Sequence, residues 1–265
     1  MARKRTRGGF VLLGLIGAAA AFVSPAGAVL EEGAFLTPSP FPGPVGRVRV
    51  ENGTIASRRE VVSDWRIGIS PAPRWRADAH FLISNIVVPA FQNRIRYSFY
   101  EAEVEPKGLI LDGRAGGGVS LGMSAYLNRF WLQAEDGLGA VSGFRRTFVG
   151  AKLLVEGGRP AWVVTAALRS LTVLEEDKTA VTLGLAPRVR VFEAGTSRMD
   201  VVAEAHPFLS NPLDYHIPWA AGLQWSPGPA LVLSLGVSNT YGSTTPDTFA
   251  ASRFPQYHVR WAYQF

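Results

Sequence analysis

From residue 61 to its last residue, this 265-residue chain keeps returning to strict alternation of apolar and polar side chains, in stretches of about 8–12 residues. In 61–70, Trp65, Ile67 and Ile69 alternate with Asp64, Arg66 and Gly68. In 74–83, Trp75, Ala77, Ala79, Phe81 and Ile83 alternate with Arg74, Arg76, Asp78 and His80. The pattern recurs at 94–104, 119–128, 162–169, 181–191, 217–225 and 231–238, and once more in the closing QYHVRWAYQF. Successive side chains of a strand point to opposite faces, so period two means strands with one apolar and one polar face. No long helical period competes with it.

Alternation alone does not say which face is inside, since a soluble sandwich alternates too. Two features favour a barrel in a membrane. The polar phase is rich in Gly, Ser and Arg, and the apolar phase carries Trp65, Trp75, Trp219, Trp225, Tyr257 and Trp261, as in aromatic girdles. A bilayer admits sheets only when they close on themselves. Connections counted back from the C-terminus alternate long and short: GSTTPDTFAASRFP, SPGP, FLSNPLDY, EAGTS, LTVLEEDK, EGGRP. Long external loops and short periplasmic turns are expected of such barrels. The expected fold is therefore all-β, an antiparallel transmembrane β-barrel over 47–265. It has about 12 strands, with 10 to 14 compatible. SPAPR (70–74) and LNR (127–129) both read as short turns, which requires an extra strand near 108–113. An exported soluble β-sandwich is the competing fold.

The first 28 residues read as an export signal. Arg3, Lys4, Arg5 and Arg7 precede an apolar run from Phe10 to Val23, and Ala26-Gly27-Ala28 offers small residues for cleavage after Ala28. That run has 14 residues, short of the ~20 needed to span a bilayer. The whole chain has 27 Lys+Arg against 21 Asp+Glu. Removing the four basic residues of the signal leaves 23 against 21, or +2, so no clustered basic face for nucleic acid is expected. Absence of cysteine excludes disulfides, thiolate metal sites and a cysteine nucleophile. Residues 29–46 form a Pro-rich, irregular lead-in.

The terminal strand carries Tyr257, Val259, Trp261, Tyr263 and Phe265 in one phase. This pattern resembles the C-terminal signal of bacterial outer-membrane β-barrel proteins. The paired units WRIGISPAPRWRADAHFLI and LQWSPGPALVLSLGV resemble their strand–turn–strand units. The resemblance implies residence in the cell outer membrane, with outer-membrane lipid and the barrel-assembly machinery as partners. It is specific to a class, porin-like barrels included, rather than to a family.

The polar phase supplies the candidate site, a charge-lined lumen: Arg66, Arg74, Arg76, Asp78, Arg94, Arg96, Glu101, Glu103, Arg188, Arg190, Asp200, Glu204 and Arg260. Such residues suit a constriction that selects small solutes. They equally suit an interior filled by mutually paired charges, because small barrels fill with side chains. The first reading gives a solute conduit, the second a non-conducting structural or surface-binding barrel. No enzyme, metal or cofactor is expected. DYH (214–216) is the best opening for lipid hydrolysis, and a metal site would draw on Asp200, Glu204 and His206. Neither carries a defensible motif.

Overall fold

The computed structural model describes residues 36–42, 45–56, 61–89, 94–113, 118–135, 141–159, 161–228, 230–240 and 244–265, with backbone alone at 84–89, 94–97, 141, 252 and 253. The expected signal, residues 1–28, lies outside them. The strands are β1 (Val48–Ala56), β2 (Val61–Ala72), β3 (Trp75–Pro89), β4 (Arg94–Leu111), β5 (Ser120–Glu135), β6 (Val141–Arg159) and β7 (Trp162–Val173), followed by β8 (Lys178–Ala194), β9 (Ser197–Ala205), β10 (Phe208–Ser210), β11 (Trp219–Gly228), β12 (Leu231–Thr240) and β13 (Ala251–Gln264). One short helix, α1 (Thr245–Phe249), stands between β12 and β13.

Each strand pairs antiparallel with its neighbours, and β1 pairs with β13 through Val50↔Tyr263 and Thr54↔Val259, closing the ring. The three-residue β10 extends the β9 edge along β8, past a break at His206-Pro207. The result is a closed 12-strand antiparallel barrel. A barrel strand crosses a bilayer in about 9–11 tilted residues. β1 has 9 residues and β6 has 19, so the longer strands project past any such band.

The packing is inverted relative to a soluble domain. Val259 and Leu235 are 57% and 59% exposed on the outer wall, whereas Asp78, Glu103 and Arg169 are each 1% exposed inside. In water such an exterior is unfavourable; against hydrocarbon it is the favoured state. Trp75, Trp162, Trp225 and Tyr263 stand outward toward the Phe265 end, and Tyr100, Trp131, Trp219 and Tyr257 toward the opposite, loop end. Trp65 and Trp261 meet edge to face at 6.1 Å, within their strands rather than at the ends.

Two expectations need correction. Leu127-Asn128-Arg129 is no turn: it runs through the middle of β5, paired with Phe148 and its neighbours on β6. Residues 108–111 close β4 rather than forming a strand of their own. Asn128 faces the lumen and Arg129 the outside, so alternation continues through LNR, and its polar content mimicked a turn. Also, the β7–β8 link shrinks to 174–177, because β7 reaches Val173 and β8 starts at Lys178.

A charged lumen closed by two internal segments

Toward the Phe265 end, the lumen holds a chain of alternating charge. Arg49 Nε meets Glu51 at 2.5 Å, and Arg76 Nη2 lies 3.9 Å from Glu51. Arg76 Nε donates to Asp78 Oδ1 at 2.5 Å and Arg66 Nη2 to Asp78 Oδ2 at 2.6 Å. Arg66 also approaches Glu105 at 3.7 Å, and Glu105 accepts from Lys152 Nζ at 2.9 Å and Ser124 Oγ at 2.7 Å. The chain starts on β1 and ends on β6. Period two makes it possible: Glu101, Glu103, Glu105 and Lys107 share the inner phase of β4, opposite Leu82, His80, Asp78 and Arg76 of β3. Buried charges persist only when paired and hydrogen-bonded.

Two segments of the chain enter this lumen. The lead-in, residues 36–42, lies inside the barrel. Glu204 accepts from the backbone N–H of Leu36 at 2.7 Å and of Thr37 at 3.0 Å, and Thr37 Oγ1 is 3.2 Å from His206 Nε2. Lys107 Nζ donates to Ser39 O at 2.9 Å, and Ser70 Oγ to Pro42 O at 2.5 Å. A Cβ on Gly122 would stand 2.9 Å from Pro40, so that glycine admits the segment.

The second segment is α1. Thr244 Oγ1 donates to Glu101 at 2.5 Å, while Thr245 N and Oγ1 donate to Glu103 at 2.8 and 3.0 Å. The carboxylates of β4 thereby satisfy donors that a helix start leaves open. At its other end, Phe249 is fully buried among Tyr126, Phe148, Leu171, Val173 and Ala180. Arg169 joins the two segments. It donates to Thr248 Oγ1 at 3.1 Å and to Leu36 O at 3.4 Å, and its guanidinium lies 4.7 Å from the Phe249 ring centre.

The predicted lining residues divide accordingly. Arg66, Arg76, Asp78, Glu101, Glu103, Arg188, Asp200 and Glu204 are inside, with Glu101, Glu103 and Glu204 engaged by the two segments. Arg190 pairs with Asp200 at 3.2 Å and Glu193 at 3.0 Å. Arg260 is half-buried on the inner phase of β13. Arg74, expected in the lumen, is exposed in the β2–β3 turn, where alternation ends at Pro73. Arg94 and Arg96 pair with Pro89 and Val87, in the phase alternate to Glu101 and Glu103. Placing both pairs in the lumen required a bulge, and the β3–β4 ladder has none; the two side chains lie outside the described residues. Tyr257, Val259, Tyr263 and Phe265 are exposed on the outer wall, with Trp261 in the same phase.

Glu204 Oε2 and His206 Nε2 lie 3.4 Å apart, but Asp200 is held by Arg190 and does not join them, and Glu204 is engaged by the lead-in. Among the described residues, the three groups that do converge are His80, Glu103 and Glu105, with ligand atoms within 4.8 Å of one another. Lys152 and Arg66 already place positive charge against Glu105, and Thr245 occupies Glu103, so a divalent ion would meet like charge there. His258 Nε2 meets Ser238 Oγ inside the lumen, and His216 of DYH is exposed. Sequence reading missed Glu51, Glu105, Lys107, Lys152 and Arg169. Where a signal existed it was parity: Glu105 and Lys107 continue the inner phase of Glu101 and Glu103 on β4, and Arg169 that of Thr165 on β7.

No protein-family model and no curated protein matches the chain. Solved structures similar to it include the translocator domain of autotransporter NalP from Neisseria meningitidis, at 11% identity and TM-score 0.48, covering 83% of this chain and 86% of that one. The beta domain of the Bordetella autotransporter Brka matches at 17% identity and TM-score 0.44, over 83% of this chain and 97% of that one. The Pseudomonas putida toluene transporter TodX matches at 9% identity and TM-score 0.36, over 91% and 96%. Closed on itself, apolar outside and charged within, the chain is a 12-strand antiparallel β-barrel.

Proposed function

We propose that this barrel resides in the outer membrane and passes small polar solutes through its lumen when its two internal segments are displaced. Residues 1–28 would direct export, with cleavage near Ala28. The outward row Tyr257, Val259, Trp261, Tyr263 and Phe265 would serve the barrel-assembly machinery. The observation that carries the reading is how the lumen is closed. Much of what holds 36–42 and α1 is hydrogen bonding to Glu101, Glu103, Glu204 and Arg169, a set of contacts that water can replace. Behind them the wall is lined by charge, as a polar pathway requires. The charge chain from Arg49 to Lys152 favours a second reading, a permanently filled and non-conducting barrel.

Planar-bilayer conductance separates the two. The mature chain is compared with a variant in which 244–250 is replaced by a Gly/Ser linker of equal length and 36–42 is deleted. The gated reading expects the intact barrel to be closed for most of the record and the variant to give sustained discrete steps. Silence from a folded, heat-modifiable variant establishes the non-conducting barrel instead.

A further inference from the structure

Inside the mouth at the Phe265 end is a small cleft of about 10 Å3, open to solvent, lined by Pro42, Arg47, Arg49, Gly68, Ser70, Arg76 and Gln264. Three of its seven lining residues are arginines, and no carboxylate lines it. The acids that hold two of these arginines contribute nothing to the wall: Glu51 meets Arg49 and Asp78 meets Arg76, each through Nε at 2.5 Å. Those contacts orient the Arg49 and Arg76 guanidiniums, and a guanidinium fork matches the oxygens of a carboxylate or phosphate. Gly68 contributes by absence, since a Cβ there would collide with the Arg76–Asp78 pair.

We infer that this cavity is a binding site for a small soluble oxyanion. Its enclosed part takes about one oxygen of such an ion, and the rest of the ion stands in the open mouth beside the arginines. Its walls face the lumen, out of reach of lipid on the outer wall. The site does not depend on whether the barrel conducts, and any occupant touches Pro42, the residue whose carbonyl Ser70 holds at the foot of the lead-in.

The test is a titration of the detergent-purified, folded mature barrel with inorganic phosphate, followed by calorimetry and by phosphorus resonance broadening. Arg47→Gln and Arg49→Gln are compared with Arg159→Gln, an exposed arginine toward the same end of β6 that does not line the cavity. Arg47 is exposed and lies outside the strands, so its replacement leaves the fold intact. Saturable binding is expected, weakened about tenfold by either lining variant through loss of charge-assisted hydrogen bonds, and unchanged in Arg159→Gln. Acetate should compete with phosphate. Non-saturable uptake by the folded barrel, or equal loss in Arg159→Gln, overturns the site.

Discussion

The two ends of the lumen differ in how far they depend on chain from outside the wall. Toward the Phe265 end, strand charges largely satisfy one another, Asp78 binding both Arg66 and Arg76 and Glu105 binding Lys152, while the lead-in adds the carbonyls of Ser39 and Pro42, held by Lys107 and Ser70. Nearer the loop end, strand side chains are satisfied by chain that is not part of the wall. Glu101 and Glu103 hold α1, and the apolar inner faces of Tyr126, Phe148, Leu171 and Val173 receive Phe249. The first arrangement is integral to the barrel and the second is separable from it. A wall that supplies both partners resists opening. A wall that borrows its partners from a loop can exchange them for water.

The largest expected effect tests the integral end. Asp78→Ala leaves Arg66 and Arg76 facing each other without the acid that binds both. Removing one partner of a buried ion pair costs about 3–5 kcal/mol. The urea midpoint of the detergent-solubilised barrel should fall accordingly, with hydrogen exchange at 244–250 keeping its wild-type protection relative to the wall. If α1 loosens as much as the wall does, the two ends form one cooperative unit and the contrast fails.

Next comes the separable end. Phe249→Ala removes the one aromatic anchor of α1, at a cost of about 3 kcal/mol for a buried ring, felt in docking rather than in the barrel. Exchange at 244–250 should rise by about a hundredfold while the urea midpoint stays put. A fall in the midpoint equal to that of Asp78→Ala would show that α1 is structural core, not a plug.

The same contrast explains what could be read from sequence. The wall was legible because each strand face has a single environment: Trp65, Ile67 and Ile69 see only the outside, while Asp64, Arg66 and Gly68 see only the inside. The same parity runs on from Glu101 and Glu103 to Glu105 and Lys107, which had not been singled out. What is inside the wall was not legible. TTPDTF reads as ordinary turn chemistry, and LTPSPFP as loose chain, because their structure comes from partners far away along the sequence: Glu101 lies 143 residues from Thr244, and Glu204 lies 168 from Leu36. One clue was available. Tyr126, Phe148, Leu171 and Val173 make an apolar patch on the inner phase of β5, β6 and β7, in a lumen that is elsewhere rich in charge, and such a patch calls for an apolar visitor.

The smallest effect concerns protons and bears on the separable end alone. Asp247, carried by α1, faces Glu101 of β4 and Asp64 of β2. Burial, with the charge of Glu101 next, pushes its carboxyl well above the ordinary range. A carboxyl raised in the docked state binds its proton more tightly docked than free, where its pKa is about 3.9. Docking is therefore strongest under acid conditions, and it weakens as pH climbs from the ordinary carboxyl range through the raised value. Exchange at 244–250 should accelerate with pH beyond the intrinsic chemical dependence, and Asp247→Asn, which keeps a hydrogen-bonding side chain without the charge, should flatten the excess. The wall offers the internal control: amides of β2 and β3 flanking Asp78 should show no such excess, because its charge is matched by Arg66 and Arg76. An identical excess at both places would mean that the barrel opens as a whole, and α1 could then not be treated as separable from the β4 carboxylates that hold it.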